Sequence, residues 1–190
     1  TYNEFTGKAD MAGKQYLLDM TNAGMRVIPT IDDMRDLGKL LEVDRYVVKP
    51  KGGADSIGLE FLSRDELELR DFSRRDMLIQ PAVDFVYEVS FFFLDGEYEY
   101  ALYAPDTKAR WKLVSYDATG ADQAFAREFV EWNPMKRGIQ RVDACRTKGG
   151  DLLLVELEDL NPYLSLDRID AAVRDRFLAR FAAALDRAAR

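Results

Sequence analysis

Between Gly138 and Leu166 the chain reads GIQRVDACRTKGGDLLLVELEDLNPYLSL, and a short pattern there holds its densest ionisable chemistry. Arg141 and Asp143 are two residues apart, as are Glu156 and Glu158, so in extended chain each pair projects from one face. Gly149-Gly150 is placed to supply the positive φ angles of a two-residue turn joining strands Ile139–Arg146 and Leu152–Glu158. With that turn Asp143 faces Glu156 and Arg141 faces Glu158. Two carboxylates directly opposite in a sheet repel unless something neutralises them. A hard divalent cation such as Mg²⁺ takes carboxylate oxygens in this arrangement. An Arg-centred salt-bridge network tying the two strands together is the plainer alternative. A one-residue slip of register would remove both.

Two further stretches carry candidate chemistry. Lys49 ends the strand-like run Arg45–Pro50 and is followed by Lys51-Gly52-Gly53-Ala54-Asp55-Ser56. A cation beside exposed backbone N–H groups suits phosphate oxygens. The GxxxxGK[ST] spacing of a Walker A loop is absent, and an ordinary surface turn is also open. At Gln80-Pro81-Ala82-Val83-Asp84 a proline ends a strand, leaving nearby backbone groups to bond something other than a neighbouring strand. A purine edge is one such partner, with Asp84 or Glu88 able to accept from ribose hydroxyls.

The composition limits what these residues can do. The chain has 190 residues, 47% hydrophobic and 32% charged, enough for one ordinary domain or two small ones. It contains no histidine, which removes Ser-His and Cys-His catalysis and histidine metal sites together. The net charge of −7 argues against nucleic acid or an anionic membrane as main partner. No apolar run approaches the ~18 residues of a membrane span, and TYNEFTGKAD does not read as a signal peptide. The single cysteine, Cys145, excludes an internal disulfide, reads as a small core residue, and fits a reducing, cytoplasmic setting.

The elements that must position these groups read as α+β with largely antiparallel sheets. A helix is expected over Ala9–Ala23 with Gly24 as its C-cap, then a short strand Met25–Ile28. Asp32 or Asp33 caps a second helix through Leu41. Strands follow at Arg45–Pro50, Ile57–Leu62 and Met77–Ala82, with a short helix at Arg64–Leu69. Tyr87–Leu94 and Glu97–Tyr103 form a hairpin turning at Asp95-Gly96, and Arg110–Tyr116 adds a strand. Ala121–Trp132 is helical. Leu166–Arg190 is a long amphipathic helix whose core stripe is Ile169, Val173, Phe177, Phe181 and Leu185.

Taken in order, GKQYLLDMTNAGMRVIPT, YVVKPKGGADSIG, LIQPAVDFVYEVSFFFLDGEYEYAL and RVDACRTKGGDLLLVELEDLNPYLSL resemble the ATP-grasp superfamily, most closely its glutathione-synthetase-like and RimK-like ligases. The resemblance implies an ATP-grasp fold, two α+β subdomains with antiparallel sheets clamping a nucleotide. It divides the chain into 1–44 (first lysine helix and its neighbours), 45–84 (lysine strand, phosphate lid and hinge) and 85–190 (metal site and closing helix). Lys14 and Lys49 would contact ATP phosphates, and Gly52, Gly53 and Ser56 would form the lid over them. Gln80 and Ala82 would present backbone groups to adenine, and Asp84 or Glu88 would hold the ribose. Asp143, Glu156 and Glu158 would hold Mg²⁺, or Mn²⁺, with Asn161 an alternative to Glu158. Arg141 would stabilise the transferring phosphoryl group, and Arg110 would be a substrate-side arginine. The activity implied is an ATP- and Mg²⁺-dependent carboxylate–amine or carboxylate–thiol ligase acting through an acyl phosphate on small-molecule or peptide substrates. Dimers are frequent in the family, so a homodimer is an expectation of the resemblance. Relatives carry a further domain ahead of the first lysine helix, where this sequence has almost nothing. A nucleotide-binding module without ligase activity of its own, working in a complex, is therefore the second reading.

Overall fold

A computed structural model describes residues 1–52, 57–106, 109 and 111–190. The chain forms two compact units, one of Ala12–Asp84 and one of Thr1–Met11 with Phe85–Arg190.

In the first unit, helix α1 (Tyr16–Asn22) precedes a 3₁₀ turn (Met34–Lys39). These are followed by strands β1 (Tyr46–Pro50) and β2 (Glu60–Leu62), helix α2 (Arg64–Glu68) and strand β3 (Met77–Pro81). The sheet is antiparallel throughout, in the order β2-β1-β3. Its core is Ile31, Leu40, Tyr46, Val48, Leu67, Phe72 and Ile79. Helix α1 is shorter than the expected Ala9–Ala23. Gly13 adopts φ +85°, and the next residue, Lys14, donates its N–H to the Lys51 carbonyl at 2.9 Å, which interrupts the helical run. The C-terminus follows the sequence: Gly24 (φ +69°) donates to Thr21 O and Met25 to Met20 O, the paired bonds of a Schellman cap. The strand expected at Met25–Ile28 is only an isolated bridge residue, Val27. Asp33 caps the turn after it by accepting from Arg35 N.

The second unit is a five-stranded antiparallel sheet in the order β6-β5-β4-β7-β8. The strands are β4 (Phe85–Leu94), β5 (Glu97–Ala104), β6 (Val114–Ser115), β7 (Ile139–Thr147) and β8 (Leu152–Glu158). The β4–β5 hairpin turns at Asp95 and Gly96, with φ of +51° and +80°, the type I′ geometry that this dipeptide favours. Among the described residues of the strand expected at 110–116, the strand is Val114–Ser115, and a hydrogen bond from Lys112 N to Ala109 O precedes it.

Helix α3 (Gly120–Trp132), opened by a Thr119–Asp122 capping box, packs on β4, β7 and β8 with Phe125, Ala126, Phe129 and Val130 buried. Helix α4 (Ala171–Ala188) packs Phe177 and Ala184 against Phe92, Leu94, Tyr100, Leu102 and Ile139. Leu185, expected on that stripe, is 43% exposed, and Ala184 takes its place. A repeat of four residues drifts around a helix of 3.6 residues per turn, whereas the seven-residue step from Phe177 to Ala184 stays on one face. No helix among the described residues is long and apolar enough to cross a membrane.

Residues 1–11 are strapped onto this second unit. Tyr2 Oη donates to Asp95, Asn3 exchanges bonds with Ile139, and Glu4 accepts from the Lys136 and Arg137 amides. Ala9 and Met11 donate their N–H groups to the buried Asp159 carboxylate, which is why these residues lie outside α1.

Candidate metal and phosphate sites

Strands β7 and β8 bring the predicted acids together. Asp143 pairs with Glu156, and Arg141 with Glu158. The pairing is as expected, but the route to it differs. The loop has three residues: Thr147 pairs with Asp151, and of its two glycines only Gly150 has a positive φ, +93°. That loop alone would offset the register by one residue. An irregularity restores it: Ala144 pairs with Leu154 and Asp143 with Glu156, so Val155 is an extra residue, a β-bulge.

One oxygen from each of Asp143, Glu156 and Glu158 lies within 4.8 Å of the other two, and all three residues are half-buried. Three oxygens at that spacing would lie at most about 2.8 Å from a common centre, against about 2.1 Å for Mg²⁺, so a bound ion would draw each inward by up to about 0.7 Å. A hard all-oxygen donor set fits Mg²⁺ or Mn²⁺ and disfavours softer metals. Asn161, the alternative ligand, sits exposed in the following loop.

Arg141 occupies this cluster. Its Nε donates to Asp143 Oδ1 at 2.9 Å, and its Nη2 to Asp143 Oδ2 at 2.8 Å and Glu158 Oε1 at 2.5 Å. Burial alone would lower the Arg141 pKa, but Asp143 and Glu158, with Asp10 beyond them, outweigh it and hold it above its ordinary value. Ser90, on β4 opposite Asp143, donates Oγ to Asp143 Oδ1 at 2.6 Å. Ser90 belongs to no motif in the sequence; its one signal there is a lone small hydroxyl in the run YEVSFFFLDG.

Just past Glu158 the backbone is fixed by a second acid. Asp10 Oδ1 accepts the Asp159 and Leu160 amides at 2.6 and 3.0 Å. The Asp159 carboxylate takes Ala9 N, Met11 N and Asn133 Nδ2. Burial, and then the neighbouring Asp159 carboxyl, raise the Asp10 pKa.

The phosphate candidates are in the first unit. Lys14 precedes α1 and Lys49 lies on β1; the backbone bond from Lys14 N to Lys51 O draws the two segments together. Burial, and then the charge of Lys14, push Lys49 down from an ordinary 10.5 to about 8. Two ammonium groups that feel one another's charge suit an anion. Lys51 is committed elsewhere, to Asp32 at 2.7 Å and Gln15 at 3.1 Å. Gly52 is exposed. Gly53, Ser56 and Arg110 lie outside the described residues.

Gln80 is buried in β3 opposite Val47, its side chain donating to Thr30 Oγ1 at 2.8 Å. Ala82 donates its N–H to Arg45 O at 3.0 Å. That amide is therefore already used inside the unit. Asp84 is exposed at the end of the first unit, whereas Glu88 lies on β4 of the second, opposite Ala104 and Cys145. Cys145 is fully buried; burial, and then Glu88, push its thiol up to about 11.

No family model and no curated protein matches the sequence. Solved structures do match. D-cycloserine synthetase DcsG is 25% identical with a TM-score of 0.65, covering 91% of this chain and 68% of its own. The ATP-grasp ligase PsnB, complexed with a phosphomimetic variant of its minimal precursor, Mg and ADP, is 16% identical with a TM-score of 0.61, over 88% of this chain and 57% of that one. D-alanine–D-alanine ligase from Bacillus anthracis is 18% identical with a TM-score of 0.60, over 90% and 63%. The chain has the ATP-grasp fold. It spans between about half and two thirds of the length of these ligases.

Proposed function

We propose that the chain is an ATP- and Mg²⁺-dependent ligase that joins a carboxylate to an amine, or to a thiol, through an acyl phosphate. The carboxylate cluster with Arg141 set into it is the observation that carries this reading. The fold supports it: similar structures include a synthetase and several ligases, one complexed with Mg and ADP and another with ATP. PsnB and MdnC were each solved with a precursor peptide, so peptides as well as small molecules are candidate substrates.

Asp143, Glu156 and Glu158 would hold Mg²⁺ or Mn²⁺, which supplies charge neutralisation at the β- and γ-phosphates. Lys14 and Lys49 bind phosphate oxygens as fixed positive charges. The substrate carboxylate attacks the γ-phosphorus, forming the new O–P bond as the bond to the ADP oxygen breaks. Arg141 stabilises charge on the transferring group. The amine then attacks the acyl carbon, and inorganic phosphate leaves. No step requires histidine. On this reading the functional segments are 1–44, 45–84 and 85–190, with Gly52, Gly53 and Ser56 over the phosphates, Gln80 and the Ala82 carbonyl toward adenine, Asp84 or Glu88 toward ribose, and Arg110 toward substrate. The setting is the cytoplasm.

The test is ADP release in Mg²⁺ with pools of amino acids and short peptides. Asp143→Asn is expected to lower turnover at least about a hundredfold. Turnover unchanged by that substitution would remove the metal assignment. The alternative reading is a nucleotide-binding module acting in a complex. It predicts Mg²⁺-dependent nucleotide binding without ADP release on any substrate pool.

A further inference from the structure

Asp143 Oδ1 accepts from both Ser90 Oγ (2.6 Å) and Arg141 Nε (2.9 Å), while Oδ2 accepts from Arg141 Nη2 (2.8 Å). The same Nη2 reaches Glu158 Oε1. It therefore bridges two of the three carboxylates that a cation would use. A guanidinium does not deprotonate in proteins, so it can leave such a place only by moving. Its remaining amino group, Nη1, bonds the Tyr163 carbonyl at 3.3 Å, a weaker contact toward the exposed side.

From this geometry we infer that Arg141 and a divalent cation are alternative occupants of one carboxylate cluster, and that Ser90 is the positioning residue that holds Asp143 in both states. The inference rests on the metal reading above. With Arg141 in place, one positive charge lies between Asp143 and Glu158. A cation carrying two charges replaces it with a better match. The displaced guanidinium is then available to an anion, and the γ-phosphate is the anion the proposed reaction provides. Metal entry and delivery of Arg141 to the phosphoryl group thus become one event. Ser90 keeps Oδ1 bonded throughout and leaves Oδ2 to the cation, the part a partner behind a metal ligand plays.

The experiment is Mn²⁺ binding without nucleotide, followed by paramagnetic resonance of free Mn²⁺. It uses the wild type and Arg141→Gln, Arg141→Lys, Ser90→Ala, Ser90→Thr and Asp143→Asn. Arg141→Gln is expected to tighten Mn²⁺ about tenfold, since a competing positive charge is gone. Arg141→Lys keeps the charge but loses the fork and should tighten it less; it carries the test should the Gln variant fail to fold. Ser90→Ala should weaken Mn²⁺ about tenfold, with Ser90→Thr restoring it. Affinity unchanged or weaker in both Arg141 variants, or unchanged in Ser90→Ala, overturns the inference while Asp143→Asn still abolishes binding. Binding indifferent to Asp143→Asn, or absent from every variant, overturns the inference and the metal reading together.

Discussion

Lys49 is the residue whose charge the fold leaves most open to adjustment. With its pKa lowered to about 8 by burial and by Lys14, it is partly neutral at mildly alkaline pH. An anion raises that value again, so nucleotide binding above pH 8 takes up a proton. Affinity should fall as pH rises from 8, approaching tenfold per unit, and calorimetry at pH 9 in buffers of different ionisation enthalpy should register net proton uptake. Below pH 7 the uptake should vanish. Folding carries the opposite sign. Between about 8 and 10.5 the unfolded chain holds the Lys49 proton and the folded chain does not, so this lysine's contribution to stability rises with pH in that window. Lys49 could be picked out in the sequence because a strand, a proline and glycines surround it. The Asp10–Asp159 pair could not, since 149 positions separate Asp10 from the Asp159 amide it accepts and only the closed fold brings them together.

At the scale of elements, the β7–β8 hairpin shows how a right answer can rest on two offsets. A two-residue turn read from Gly149-Gly150 gives the same acid pairing as the observed three-residue loop followed by the Val155 bulge. The hydrophobic pattern favours the bulged route: it sets the buried Leu154 and Leu157 on the face opposite the acids, where a regular strand would put Leu154 beside Glu156. A glycine scan separates the two turns. Gly150→Ala places a side chain at φ +93°, with nothing within 4 Å to clash, so its cost is backbone strain alone, about 1–2 kcal/mol in urea unfolding. Gly149→Ala should stay within about 0.5 kcal/mol. Equal costs at both positions would restore the two-residue turn. Helix ends were legible where a cap was local, as at Gly24 and Asp33, and illegible at Ala9, whose N–H is claimed by Asp159.

For the molecule as a whole, the fold was readable because its signals are ordered along the chain: a lysine just ahead of a helix, a lysine strand, an Asp-Gly hairpin, and paired acids before a proline. What the sequence left out is the division of labour, with residues 1–11 serving the second unit rather than the first. A chain that binds nucleotide and metal together should resist heat more in their presence. At a hundred times the dissociation constant, a non-hydrolysable ATP analogue with Mg²⁺ should add about 2.7 kcal/mol. Glu156→Gln should lose most of that gain at the same analogue concentration. A purely structural role for the acids predicts no gain in either chain.

The burial of Cys145 has a practical consequence. It is the only sulfhydryl in the chain, and its side chain is closed off on β7, between β4 and β8 of the five-stranded sheet. A colourimetric disulfide reagent can therefore label a molecule only while that sheet is open, and the labelling rate counts openings without any added probe. Ions or nucleotides that grip the second unit should slow this clock in proportion to their occupancy. A residue that the proposed reaction never touches would report on everything that does.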